Sequence, residues 1–173
     1  MSNLLFILHA SRPRFWAYLA GPFLLGYVAS ASSIYSLLSL FFFFILLYFL
    51  LPANILLYGV NDYFDSDTDQ FNEKKKSHEI LLKVSQKRKL RLTLLLTILI
   101  SIIVYIFLPN TISQTLFVIF ILLSIFYSTP PLRFKAHPFI DSFSNILYIF
   151  PALIAYSFFS NIYSAPVILA MCF

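Results

Sequence analysis

Charge is what this sequence has least of. Only 11% of its 173 residues are Asp, Glu, Lys or Arg, against about 25% in an average soluble domain. A water-soluble globule of this length cannot cover its surface with so few charges. Scarce charge beside 60% hydrophobic residues also excludes disorder, which requires the opposite balance. Cysteine is almost missing, and Cys172 alone excludes an intrachain disulfide framework or a multi-thiolate metal site. Acids number only seven. In their place stand 19% aromatic residues, 21 of them phenylalanine, and a mean hydropathy of +0.86. These proportions belong to a protein that folds in lipid.

Uncharged apolar stretches fall at about Phe15–Ala31, Leu37–Val60, Leu92–Leu108, Thr111–Tyr127 and Ile140–Ser160, and a further run opens near Ala165. In hydrocarbon every backbone amide needs a partner within its own segment or its neighbours, so helices are expected. None of the stretches shows the two-residue alternation of a membrane barrel. The short run Leu4–Leu8 is too brief for a signal-peptide core and leads into Ser11-Arg12-Pro13-Arg14, so it reads as a retained interfacial segment. The expected fold is an all-α, polytopic membrane protein with five complete transmembrane helices and a truncated sixth. Residues 1–173 form one membrane domain.

The basic residues lie at 12–14, 74–91 and 133–135, whereas the connections Ser30–Ser36, Pro109–Ser113 and Asn161–Ala165 carry no charge. The positive-inside rule then places the N-terminus, the 61–91 loop and the 129–139 loop in the cytoplasm of a multi-pass cell-membrane protein. The net charge of +5 describes one membrane face that meets anionic lipid, and it requires no nucleic acid.

Six of the seven acids sit between Asp62 and Glu79, directly after the apolar run that ends at Val60. At about 100° per residue, Asp65, Asp69 and Asp62 fall within roughly 100° of Asn61, whereas Asp67 points away. A stripe of oxygens at a membrane boundary suits a hard divalent cation, and Mg²⁺ takes one or two carboxylates with waters and phosphate oxygens. Asp65-x-Asp67-x-Asp69 also imitates the start of a calcium hand, but that loop needs Gly and Glu where Gln70 and Lys76 stand. Other polar residues admit two readings each. Asn54 falls on the same helix face as Asn61 and either lines a cavity or bonds a neighbouring helix. Asp141 either caps a helix or lines that cavity. Tyr63, Tyr127 and Tyr148 suit both substrate contact and the aromatic belt of a membrane interface. His9, His78 and His137 read as interfacial or solvated.

The string Asn61-Asp62-x-x-Asp65-x-x-x-Asp69 after a second transmembrane helix resembles the first aspartate-rich motif of the UbiA superfamily of intramembrane prenyltransferases. Ser11-Arg12-Pro13-Arg14-Phe15-Trp16 with Ala20-Gly21-Pro22 is similar to the family's first helix, and Tyr127 to Lys135 to the tyrosine-plus-basic segment ending helix 4. Asp141-Ser142-Phe143-Ser144-Asn145 resembles the branch that elongates carotenoids such as lycopene. The resemblance implies a partial UbiA-type helical bundle and transfer of an isoprenyl group from an isoprenyl diphosphate to a lipophilic acceptor. That acceptor is a carotenoid, or else a quinone precursor, chlorophyllide or ether lipid. It implies Mg²⁺ as cofactor, held by Asn61, Asp65 and Asp69 with help from Asp62. Arg133 and Lys135 become diphosphate ligands. Lys74, with Lys75 and Lys76, is either another ligand or a topology signal. Asn54, Tyr127, Asp141 and Asn145 become cavity-lining residues.

Family members carry a second aspartate-rich motif after helix 6, and Asp141 with Asn145 does not supply it. The expectation is therefore an N-terminal portion of such an enzyme that turns over poorly unless another polypeptide completes the site. The competing expectations are an inactive fragment and a non-catalytic divalent-cation-binding membrane protein. A transporter of that kind places acids at mid-membrane depth, which this sequence does not.

Overall fold

A computed structural model describes residues 3–65 and 84–160. Every regular element among them is helical. They are α1 (Asn3–Ala10), α2 (Ala17–Ser30), α3 (Leu40–Leu50), α4 (Pro52–Asp65), α5 (Val84–Phe107), α6 (Thr111–Phe126), α7 (Pro138–Ser144) and α8 (Phe150–Tyr156), with short 3-10 turns between some of them. Three helical stretches are long and apolar enough to cross a bilayer: Leu40–Asp65, Gln86–Phe107 and Pro138–Tyr156. Two shorter apolar helices, Ala17–Ser30 and Thr111–Phe126, accompany them. The apolar run near Ala165 lies outside the described residues.

Local chemistry explains where the helices start and break. Ser39 accepts a hydrogen bond from Phe42 N at the start of α3, and Asn110 with Ser113 forms a capping box on α6. The stretch read as one helix over Leu37–Val60 is two, because Pro52 cannot donate a backbone N–H. Leu51 is distorted there (φ −116°, ψ −68°) within the helical region, and the Asn54 amide donates to the carbonyls of Phe49 (2.7 Å) and Leu50 (3.0 Å) across the break. The expected helix over Ile140–Ser160 consists of α7, a 3-10 turn at Asn145–Ile149 and α8.

The core is built around α2, α3, α6 and α8, with Phe23, Tyr27, Phe42, Phe49, Phe117 and Phe120 buried together. Aromatic rings stack or meet edge to face through it, as in Phe23 against Phe42 at 6.0 Å and Phe49 against Phe120 at 5.7 Å. Helices α2 and α8 approach so closely at Gly26 that a Cβ there would lie 2.1 Å from the Ala152 carbonyl oxygen. Close backbone approach of this kind is how helices associate where lipid removes the hydrophobic drive. One buried polar bond, Tyr48 Oη to Ser101 Oγ at 2.9 Å, ties α3 to α5. The run Leu4–Leu8 lies in α1, whose Phe6 and Ala10 pack with Leu90 of α5 beside Tyr63 of α4. The end of α4 is thereby flanked by the segment before α2 and the segment after α6.

Candidate active site

Two basic segments converge on the last turn of α4. From the segment after α6, Arg133 Nη2 donates to Asp65 Oδ1 at 2.9 Å, and Lys135 Nζ donates to Asp65 Oδ2. The same ammonium donates to Asn61 Oδ1 at 2.6 Å, and Ser128 Oγ donates to that oxygen at 2.9 Å. From the segment before α2, the Arg12 guanidinium donates to Asp62 Oδ1. Asp65 is only 9% exposed and its partner Lys135 is mostly buried, whereas the Arg133 side chain is 42% exposed, so this cluster sits at the edge between the interior and water. Removing charge from water is costly unless it is paired, and here each acid has a cationic partner.

Backbone geometry presents both arginines. Among the described residues, Arg12 (φ 48°) and Arg133 (φ 37°) are the only non-glycine residues in the left-handed region. Each stands immediately before a 3-10 turn, Pro13–Phe15 and Phe134–Ala136 respectively. Such conformations cost about 1–3 kcal/mol each and persist where the surroundings over-determine them. Around Arg12 the Trp16 indole donates to the Ser11 carbonyl (3.2 Å), and Ser11 Oγ donates to the Leu8 carbonyl (2.7 Å). Around Arg133 its own N–H donates to the Thr129 carbonyl (3.0 Å), and Lys135 N donates to the Tyr127 carbonyl (3.1 Å).

Beside these ion pairs lies a cavity of about 230 Å³, lined by Arg12, Tyr58, Asn61, Tyr127, Asn145 and Tyr148 with Leu57 and Leu147. The Arg12 guanidinium stands 5.0 Å from the Tyr58 ring centre, within reach of a cation–π attraction. Phe15 packs on Tyr58 at 5.2 Å and Tyr18 on Tyr148 at 6.0 Å, extending the aromatic wall. The Tyr58 and Tyr148 hydroxyls are 3.4 Å apart. A separate groove of about 210 Å³ between α5 and α6 is apolar and includes no charged side chain.

The structure brings Asn61, Asp65, Arg133 and Lys135 into one cluster. Asp62 belongs to the same turn but faces Arg12. Tyr127 and Asn145 line the cavity; Asn54 does not, being wholly buried at the α3–α4 junction. Asp141 lies one turn into α7 and not at its cap, and its Oδ1 is buried without a hydrogen-bond partner among the described residues. Asp67, Asp69, Lys74, Lys75, Lys76 and His78 fall outside the described residues. The residues that sequence reasoning did not place in the site are Arg12, Ser128 and Tyr58. A signal existed for Arg12, since Arg12-Pro13-Arg14 repeats the basic-x-basic spacing of Arg133-Phe134-Lys135.

Among the described residues no three His, Cys, Asp or Glu side chains group as a metal site. The donor set nevertheless suits a hard divalent cation. Asn61 Oδ1 and Asp65 Oδ2 converge closely enough to share one ammonium, and an amide oxygen with a carboxylate oxygen is the kind of pair Mg²⁺ accepts beside water and phosphate.

A bundle of apolar helices carrying a polar cluster of this kind at one end of an aromatic cavity has a counterpart among known families. Residues 19–173 match the model of the UbiA prenyltransferase family, and the chain belongs to that family. It is 39% identical over 169 residues to a lycopene elongase/hydratase of Haloferax volcanii, covering 98% of this chain and 54% of that protein. A lycopene elongase/hydratase of Haloarcula japonica is 39% identical over 153 residues (88% of this chain, 51% of the relative). One from Corynebacterium glutamicum is 36% identical over 157 residues (89% and 53%). The chain spans about half the length of these curated relatives. No solved structure gives a significant match.

Proposed function

We propose that the protein transfers an isoprenyl group from an isoprenyl diphosphate to a lipophilic acceptor in the membrane, and that the acceptor is a carotenoid such as lycopene. The observation that carries this reading is the convergence of Asn61, Asp65, Arg133 and Lys135 at the edge of a cavity walled by Tyr58, Tyr127 and Tyr148. The relatives named lycopene elongase/hydratase favour a carotenoid over a quinone precursor, chlorophyllide or ether lipid.

In this reading Asn61 and Asp65, joined by Asp69 and by Asp62 once it turns from Arg12, would hold Mg²⁺ at the diphosphate end of the donor. The ion supplies charge neutralisation for the departing diphosphate. Arg133 and Lys135, and Lys74 from the residues that follow Asp65 in sequence, bind phosphate oxygens and stabilise the negative charge that grows as the carbon–oxygen bond breaks. The aromatic wall excludes water and offers π faces to the allylic cation, which a carbon nucleophile of the acceptor then attacks. The basic residues at 12–14, 74–91 and 133–135 face the cytoplasm in this reading, which supports a donor site at the cytoplasmic side of the membrane.

The test is turnover by the complete gene product in membranes supplied with labelled isoprenyl diphosphate and lycopene. Prenylated carotenoid is expected from the wild type. Asp65→Ala and Asp69→Ala are each expected to reduce product at least about 100-fold, the loss typical of removing one electrostatic group from a reacting site. Full turnover in both variants would refute the assignment of these acids.

A further inference from the structure

The ammonium of Lys135 occupies a position that the proposed metal also needs. Asn61 Oδ1 is a carbonyl-type oxygen with two lone pairs, and both are taken, one by Ser128 Oγ at 2.9 Å and one by Lys135 Nζ at 2.6 Å. The same ammonium is hydrogen-bonded to Asp65 Oδ2, while Arg133 holds Oδ1. A divalent cation that takes Asn61 and Asp65 as ligands must therefore displace a donor already there. Ser128 is neutral, fully buried and fixed at the end of α6. Lys135 is a positive charge on a flexible stem, repelled by an arriving divalent ion, and so is the donor that leaves.

We propose that Lys135 is the resident counter-cation of the Asn61–Asp65 pair, keeping the metal position closed until a divalent ion arrives together with a diphosphate, to which the ammonium then transfers. This rests on the metal–diphosphate reading above and adds an order to it. Lys135 opposes a bare metal ion and favours the metal–diphosphate complex. The exchange needs no backbone movement, because the Lys135 backbone is anchored to the Tyr127 carbonyl and the four rotatable bonds of a lysine stem can re-aim its ammonium. Only Nη2 of Arg133 is on Asp65 Oδ1. The guanidinium has five donors, so it can keep that contact while its other N–H groups reach phosphate, and the carboxylate is not left without a partner.

The experiment uses the full protein in detergent, with Mn²⁺ as the spectroscopically visible oxygen-seeking ion and inorganic pyrophosphate as the headgroup probe. Lys135→Gln is expected to bind Mn²⁺ alone at least fivefold more tightly than wild type. The same variant should retain the Mn²⁺–pyrophosphate complex at least fivefold more weakly. Lys135→Arg, which keeps the charge, should stay near wild type in the first titration. A purely structural role for Lys135 would move both affinities in the same direction, and that result overturns the proposal. A second measurement needs no variant: acylation of Lys135 by an amine-reactive reagent, read by mass spectrometry, should rise when Mn²⁺ alone saturates the wild type and fall again with pyrophosphate. Unchanged labelling on metal addition also overturns the proposal. If wild type retains Mn²⁺–pyrophosphate in an Asp65-dependent manner but Lys135→Gln does not split the two affinities, only the counter-cation role falls. If wild type retains neither probe, the metal–diphosphate reading falls with it.

Discussion

Arg133 illustrates how much one residue carries. Its guanidinium is paired to a largely buried carboxylate, and its backbone is in a conformation that side chains disfavour. The two contributions separate by substitution. Arg133→Ala loses the ion pair and keeps the strain, whereas Arg133→Gly loses the pair and relieves the strain, since glycine enters the left-handed region freely. Arg133→Gly is therefore expected to be more stable than Arg133→Ala by about 1 kcal/mol, measurable as a higher midpoint of thermal unfolding in detergent. Equal midpoints would show that the left-handed turn is not maintained in solution. At this scale the sequence was partly legible. The helical wheel put Asn61 and Asp65 on one face, and the structure has them sharing one ammonium. The wheel also joined Asp62 to that face, but its offset of about 100° turns it toward a different segment, where Arg12 waits. Which cation meets which acid is set by contacts between residues 50 to 70 positions apart. No local pattern encodes such pairings.

Among the helices, apolar length predicted α2 and α6 within a residue or two of their observed bounds, because a hydrophobic run in lipid has few alternatives to a helix. Helix α5 instead begins at Val84, well before the expected Leu92, within the basic stretch read as part of the 61–91 loop. One expected span became two helices at Pro52, and the other is interrupted by the 3-10 turn Asn145–Ile149, which ends just ahead of Pro151 in the first turn of α8. Pro22 nonetheless lies inside an unbroken α2. A proline removes a donor in every case, and tertiary packing decides whether the helix breaks. The α2–α8 contact is the other element-scale feature that only the structure reveals, since Gly26 reads as an ordinary small residue until Ala152 is placed against it. Gly26→Ala should lower stability by about 1–3 kcal/mol, the usual range for overpacking, although alanine is the better helix former. Unfolding of the purified protein in a graded denaturing detergent checks it. An increase in stability would mean that the two helices do not pack at this distance.

Across the molecule, the division of labour follows from the composition. With 11% of residues charged, ionic contacts are few, and the described ones that join separate segments gather at the end of α4, where the chain before α2 and the chain after α6 return to it. The rest is aromatic and aliphatic packing that holds these three segments in register. Family membership follows from the sequence match, and the chemistry proposed for it depends on that one polar end. Equilibrium binding of an isoprenyl diphosphate to the full protein, with and without Mg²⁺, tests this most directly because it needs no acceptor. The account predicts that removing Mg²⁺ with a chelator, or replacing Asp65 with Ala, weakens binding at least about 30-fold, equivalent to about 2 kcal/mol, the lower end for breaking a charge-assisted contact in a desolvated site. Affinity unchanged by either treatment would contradict it.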